Sequence, residues 1–259
     1  MIRANNIYKG YGEKKVLRGL SLEVVEGETL VILGRSGVGK SVLLRLIIGL
    51  EKPDEGEIEV GDIPISKLSG PELFRNIRHM GMLFQSAALF DSLSVGENTA
   101  FYLRQHGNPE TGRRYAEPWI KQRVSEALEL VGLAGTAELF PSSLSGGMRK
   151  RAGIARLIAY RPQILLYDEP TTGLDPVTAM HISELIVKTQ RELKATSVVV
   201  THDLVSAMTV ADRIALHHDG KIALVVPKGE FTQQEHPLIK EFLANSLLAN
   251  GNHHGYKAP

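Results

Sequence analysis

The segment Gly34-Arg35-Ser36-Gly37-Val38-Gly39-Lys40-Ser41 constrains this chain more than any other stretch. It follows the apolar run Thr29 to Leu33 and leads into Val42-Leu43-Leu44-Arg45-Leu46-Ile47-Ile48, so the order reads strand, glycine-rich turn, helix. Glycines let the backbone curl until successive N–H groups point inward, and the new helix adds its positive dipole end. Such a turn cradles phosphate. Lys40 can reach the outer phosphates as a point charge, and the Ser41 hydroxyl is placed to ligate Mg²⁺.

Around this turn the pattern alternates strand and helix. Strands are expected at Ile2 to Tyr8 and Leu20 to Val25, separated by the turn residues Gly10-Tyr11-Gly12-Glu13, then at Glu57 to Val60 and His79 to Phe84. From Ser94 to Tyr160 the periodicity is helical throughout. Ser94 with Glu97 makes a capping box, and Trp119, Ile120, Val124, Ala127, Leu128 and Val131 mark an amphipathic helix over Pro118 to Leu130. A further helix begins near Ser145. Alternation then resumes with strand Ile164 to Tyr167, helix Pro176 to Leu193, strand Ser197 to Thr201 and helix Asp203 to Thr209. A hairpin follows around His218-Asp219-Gly220, and a short amphipathic helix spans Pro237 to Leu248. The tail from Asn250 to Pro259 is polar and expected to be disordered; His253 and His254 in it read as a surface pair, not a metal site. Alternation of this kind implies a mostly parallel sheet covered on both faces, with the helical block as an excursion.

Composition narrows the function classes. With 30 basic and 29 acidic side chains the formal net charge is +1, so electrostatics point to no nucleic-acid partner. The absence of cysteine removes disulfides, thiolate metal sites and a cysteine nucleophile. No signal peptide is visible, because polar Arg3, Asn5 and Asn6 come almost at once. The longest apolar stretch, around Val42 to Leu50, is interrupted by Arg45 and too short to span a bilayer, so a soluble chain is expected.

Two further motifs carry chemistry. Ile164-Leu165-Leu166-Tyr167-Asp168-Glu169 reads as a buried strand ending in two acids, and the carboxyl end of such a strand is where ligands sit. Asp168 is expected to complete the Mg²⁺ shell opposite Ser41. Glu169 is expected to orient the water attacking a γ-phosphate and take its proton. Leu144-Ser145-Gly146-Gly147-Met148 opens the helix bearing Arg149, Lys150 and Arg151; Ser145 is a good N-cap, and the two glycines bring backbone N–H groups to a positive helix end. These residues read as a second phosphate-binding surface or, taken alone, as a capped helix after a flexible loop.

Taken in order, the phosphate loop, Gln85, Leu144 to Met148, Asp168-Glu169, Gly173-Leu174-Asp175 and His202 resemble ATP-binding cassette (ABC) ATPases, over about Ile2 to Val226. The resemblance implies an α/β P-loop NTPase (RecA-like) core with an antiparallel β subdomain and an inserted helical subdomain. That divides the chain into an ATPase domain over 1–226, its helical subdomain at about 94–160, and a C-terminal helix and tail over 227–259. It further implies a head-to-tail homodimer, each ATP held between the phosphate loop of one subunit and Ser145-Gly146-Gly147 of the other. By the same resemblance Tyr11 stacks on adenine and Gln85 touches Mg²⁺ and the attacking water. His202 is the switch histidine reaching the γ-phosphate, and Asp175 crosses the dimer interface. One departure is Met148, where the family most often has glutamine; phosphate contacts come from Ser145 and backbone N–H groups, so ATP capture is expected to survive.

Within the family, the segments Leu144 to Arg151, Ala88 to Leu93 and Phe101 to Arg104 are similar to the ATPase subunit of Mla/MCE-type lipid transporters. That likeness implies integral membrane permease subunits and an MCE-type substrate-binding protein, with a small regulatory subunit as a further partner. The place implied is the cytoplasmic side of the bacterial inner membrane, peripheral through the permease. The helical block following Gln85 is placed to carry the motion, with Leu89 and Phe90 as candidate contact residues or, alternatively, ordinary core packing. Rival readings are an ATPase for another solute, such as an amino acid or metal, and a soluble ABC-type ATPase acting on nucleic acid or ribosomes. The balanced charge and the lack of a coiled-coil insert oppose the latter. A P-loop kinase is opposed by Ser145-Gly146-Gly147 and His202.

Overall fold

The computed structural model describes residues 1–108 and 111–251, with side chains up to 244. The chain opens with strands β1 (Ile2–Tyr11), β2 (Lys14–Val24) and β3 (Thr29–Leu33), then helix α1 (Lys40–Ile47), strand β4 (Glu55–Val60), helix α2 (Gly70–Ile77) and strand β5 (Met80–Leu83). Helices α3 (Val95–His106), α4 (Glu117–Leu130) and α5 (Gly146–Ile158) form the helical block. Strand β6 (Ile164–Asp168), α6 (Pro176–Leu193), β7 (Thr196–Thr201), α7 (Leu204–Val210), β8 (Arg213–His218), β9 (Lys221–Pro227), α8 (Lys228–Phe231) and α9 (Pro237–Gly251) complete it.

Six strands form one sheet in the order β5-β6-β7-β3-β8-β9, parallel except for the antiparallel edge strand β9; β2-β1-β4 form a separate antiparallel sheet. Alternate residues of each central strand enter opposite cores. Val31, Leu33, Leu165, Tyr167 and Val199 pack with the helical block and α6, whereas Leu30, Ile32, Leu166, Val198 and Val200 pack with α1 and the antiparallel sheet. Both faces are covered, which is why these strands read as unbroken apolar runs. This is the α/β P-loop fold with an antiparallel β sheet and a helical insertion. Register decides where chemistry can happen: Leu33 pairs with Thr201, Asp168 with Val200 and Leu83 with Tyr167, so four strands end together at one edge.

Several expectations need correction. β1 runs on through Gly10 and Tyr11, and β2 begins at Lys14 rather than Leu20, which narrows the turn to Gly12-Glu13. β2 lies at an edge of its sheet, so the charged residues Lys14, Lys15 and Arg18 can face solvent without breaking the ladder. α2 and the short α8 were not anticipated. α2 buries no residue, so no apolar period announces it, although Ser69 and Glu72 have capping-box spacing. Trp119 does not join the buried face of α4; it is 39% exposed and stacks on Tyr115 at 4.1 Å. In α9, Ile239 is fully buried and Leu238, Phe242 and Leu243 pack on the same core, so this helix docks on its own chain. The expected tail after Gly251, with His253 and His254, lies outside the described residues.

Candidate functional site

Between β3 and α1 the phosphate loop takes its shape from two glycines. Gly37 has φ +79° and Gly39 φ +106°, where a Cβ is strained; at Gly39 it would also come 2.6 Å from Val16 Cγ1 on β2. This turn delivers Lys40 and Ser41 as the first residues of α1. The Lys40 side chain is buried, and its Nζ donates to the carbonyls of Gly34 (2.8 Å) and Arg35 (2.9 Å). Burial pulls the Lys40 ammonium below its usual value, with the nearby Glu169 carboxylate acting in the other direction.

Sheet register brings Asp168 and Glu169 opposite that loop. Ser41 Oγ donates to Asp168 Oδ1 at 2.7 Å, joining the two residues expected to share a metal. Burial pushes the Asp168 carboxyl up, and the Ser41 hydrogen bond opposes it. Two hard oxygen donors, one of them a carboxylate, are the set that suits Mg²⁺ alongside substrate phosphates. Glu169 is held from three directions: Oε1 lies 3.3 Å from Lys40 Nζ, Oε2 lies 2.9 Å from His202 Nδ1, and Thr172 Oγ1 donates to Oε2 at 3.0 Å. Its backbone sits at φ +47°, a left-handed conformation costly for a residue with a Cβ.

One cleft of about 370 Å³, large enough for a small ligand, is lined by Lys40, Ser41, Glu169, Thr172 and His202; Asp168 touches Ser41 but is not in that lining. Its lining includes Tyr11, Ser36, Gly37, Gly39, Lys40, Ser41, Gln85, Glu169, Thr172 and His202. At its mouth Tyr11 is half exposed, its hydroxyl bonded to Glu51, which Arg45 of α1 holds at 2.6 Å. The ring is thereby fixed at the end of β1, oriented by α1. Arg35 is exposed and Val38 half-buried in the loop.

Ser145, Gly146, Gly147 and Asp175 are not part of this cleft. Ser145 caps α5 by accepting from Met148 N at 3.3 Å, and Asp175 caps α6 by accepting from Thr178 N at 3.0 Å. The two caps lie side by side: a Cβ on Gly147 would come 2.5 Å from Thr178 Cγ2. Ser145, Gly146 and Asp175 are exposed, and so are the apolar Val177, Met180 and Val205.

Sequence reasoning missed Thr172 and Lys150. Thr172 stands three residues after Glu169, a spacing that puts a hydroxyl back over the carboxylate in a tight turn. Lys150 is buried near the Asp168 and Glu169 carboxylates, with its described hydrogen bonds going to main-chain carbonyls, and nothing in its basic run distinguishes it from exposed Arg149.

Comparison with known proteins places this geometry. The family described as ABC transporter matches residues 17–172. The probable ribonucleotide transport ATP-binding protein mkl of Mycobacterium tuberculosis is 39% identical over 93% of this chain, which spans 66% of that relative's length. The methionine import ATP-binding protein MetN of Carboxydothermus hydrogenoformans is 42% identical over 93% of the chain and 70% of its own. The intermembrane phospholipid transport system ATP-binding protein MlaF of Haemophilus influenzae is 38% identical over 94% of the chain and 90% of its own. Among solved structures, the dimeric post-hydrolysis state of the cassette MJ0796 bound to ADP and Pi superposes with a TM-score of 0.78 at 33% identity, covering 88% of this chain and 99% of that one.

Proposed function

The chain belongs to the ABC transporter family as one of its ATP-hydrolysing cassettes, and on that premise we propose that two copies clamp ATP head to tail to drive a membrane permease that moves phospholipid across the bacterial envelope. The observation that carries the pairing is the separation of the two phosphate-binding surfaces. The phosphate loop, Gln85, Glu169 and His202 share one cleft, whereas Ser145, Gly146 and Asp175 stand outside it and exposed, with Gly147 buried against Thr178. Each chain thus carries two halves of different sites, and a second copy supplies the missing half.

In that reading the phosphate loop and Lys40 hold the β- and γ-phosphates, and Tyr11 offers a face to adenine. Ser41, Asp168 and Gln85 would hold Mg²⁺, which when bound draws charge from the phosphate oxygens. Glu169 orients a water in line with the γ-phosphorus and takes its proton as the new O–P bond forms and the bond to the β–γ bridging oxygen breaks. His202 and Thr172 fix the Glu169 carboxylate, and His202 also faces the γ-phosphate. Two helix ends attract one anionic phosphate and draw the subunits together; hydrolysis and phosphate release let them reopen.

Among the described residues no helix is long and apolar enough to cross a membrane. The proposed partner is therefore an integral permease, contacted by the helical block, which holds the cassette at the cytoplasmic side of the inner membrane. An MCE-type substrate-binding protein and a small regulatory subunit complete the assembly. Phe90 is 43% exposed and packs on Phe101 with the rings tilted and their centres 4.6 Å apart, and Asn98 pins its backbone through both the Phe90 N–H and carbonyl. That rigid, exposed aromatic is suited to a partner surface. Phospholipid as cargo is supported by the extent of the MlaF likeness. The similar identity of MetN and mkl supports the second reading, another solute. Isolating the chain with its membrane subunit and identifying any bound lipid separates them: bound phospholipid supports the first, and a permease that carries an amino acid or metal overturns it.

A further inference from the structure

Lys150 lies on α5, the helix that opens with Ser145-Gly146-Gly147, and only 5% of the residue is exposed. Its Nζ donates to the carbonyl of Gln85 and, at 3.3 Å, to the carbonyl of Glu169. Both residues face the nucleotide cleft, one at the end of β5 and one at the end of β6. For packing alone, an apolar side chain of the same length would serve without the cost of burying an ammonium. Two further features tie α5 to the same loop. Arg156 donates to the carbonyls of Ala88 (2.6 Å) and Ala87 (3.0 Å), both of which have positive φ. Between the two cations, Gly153 sits so close to β5 that a Cβ there would come 2.7 Å from Leu83 Cδ1. Helix α5 therefore grips the segment 85–88 along its length.

We propose that Lys150 is a positioning residue that ties the main chain at Gln85 to the main chain at Glu169, so that movement of α5 reaches both groups facing the γ-phosphate. The inference rests on the paired half-site reading above. With it, the helix that meets the partner's nucleotide is joined mechanically to the carboxylate that serves its own. The bond to the Glu169 carbonyl also helps hold that residue at its left-handed φ of +47°.

The test compares Lys150→Met, which keeps the length and removes the donors, with Lys150→Arg, which keeps the charge. Steady-state ATP hydrolysis by the full chain and binding of a fluorescent ATP analogue with Mg²⁺ are measured for each. Lys150→Met is expected to lower kcat roughly tenfold or more while KM and analogue affinity stay within about threefold, and Lys150→Arg to recover most of the rate. In a Glu169→Gln background the same Met substitution should cost several-fold less than it does alone, because the part of its effect that runs through the Glu169 carboxylate is already lost. Wild-type turnover in Lys150→Met, equal losses with Met and Arg, or an undiminished loss beside Glu169→Gln would overturn the proposal. If Lys150→Met does not fold, Lys150→Leu, which also removes the donors, is read by the same criteria. Pairing is read separately, from the dependence of wild-type turnover on protein concentration. A fully active monomer would sink the half-site reading while the Lys150 comparison still reports on positioning.

Discussion

The ammonium of Lys40 lies 3.3 Å from Oε1 of Glu169, so the proposed phosphate-binding cation and the proposed general base are partners across the cleft. An incoming γ-phosphate competes with that carboxylate for the same cation. The arrangement sets opposite expectations for the two residues.

Glu169→Gln keeps the shape of the side chain and removes its charge. Turnover should fall by about 10²–10⁴-fold, the usual range for losing a general base, while ATP binding persists or tightens because the phosphate loses its competitor for Lys40. The variant should accumulate as an ATP-bound dimer, detectable by light scattering. Wild-type turnover, or a monomer at saturating ATP, would contradict the assigned role.

Lys40→Ala should weaken nucleotide binding by roughly 1.5–3 kcal/mol, the range for a hydrogen bond to a charged group. Calorimetric titration with ATP and Mg²⁺ checks this; unchanged affinity would remove Lys40 from the phosphate site.

Thr172→Val deletes the hydroxyl that donates to Glu169 Oε2 at 3.0 Å. The carboxylate keeps His202 and Lys40, so the expected loss in kcat is about tenfold, near the low end for a charged hydrogen bond, with ATP affinity unaltered. A loss confined to KM would show that Thr172 acts on substrate and not on Glu169.

Acid should destabilise the fold through His217. The residue is 2% exposed, neither ring nitrogen has a described hydrogen-bond partner, and burial, with Lys40 and His218 nearby and Asp219 opposing, lowers its pKa from 6.5 to about 4. The unfolded chain takes up the proton first, so this contribution is whole above pH 6.5 and is lost as pH falls toward 4, by about 3 kcal/mol. Urea unfolding across that window checks it, and His217→Leu should flatten the profile. An unchanged slope in the variant would mean that other groups carry the acid dependence.

Asp175→Ala removes an N-cap and should cost about 1 kcal/mol of stability, seen as a lower midpoint in thermal unfolding. A loss of ATP hydrolysis larger than that stability change explains, restored at high protein concentration, would support its place at the subunit interface. Loss of stability alone would confine it to capping.

The phosphate loop could be read from sequence because its chemistry is contiguous: three glycines, Lys40 and Ser41 occupy one turn and the start of one helix, and each acts through local backbone geometry. The acids at the end of β6 were legible for a similar reason, since a short unbroken apolar run, too brief for a helix, reads as a strand buried on both faces. The helix α2, by contrast, has no buried face to leave a periodic trace, and exposed Trp119 fitted a helical spacing that its packing does not follow.

By itself, then, the order of residues determined which local elements could bind phosphate and which side chains stood at their ends. Tertiary structure alone decided their meetings: Ser41 with Asp168, His202 and Thr172 on Glu169, and Lys150 between two main-chain carbonyls. Those contacts depend on the register of parallel strands and on how closely α5 approaches β5. Both are set by packing between segments far apart along the chain, which no local pattern of residues encodes.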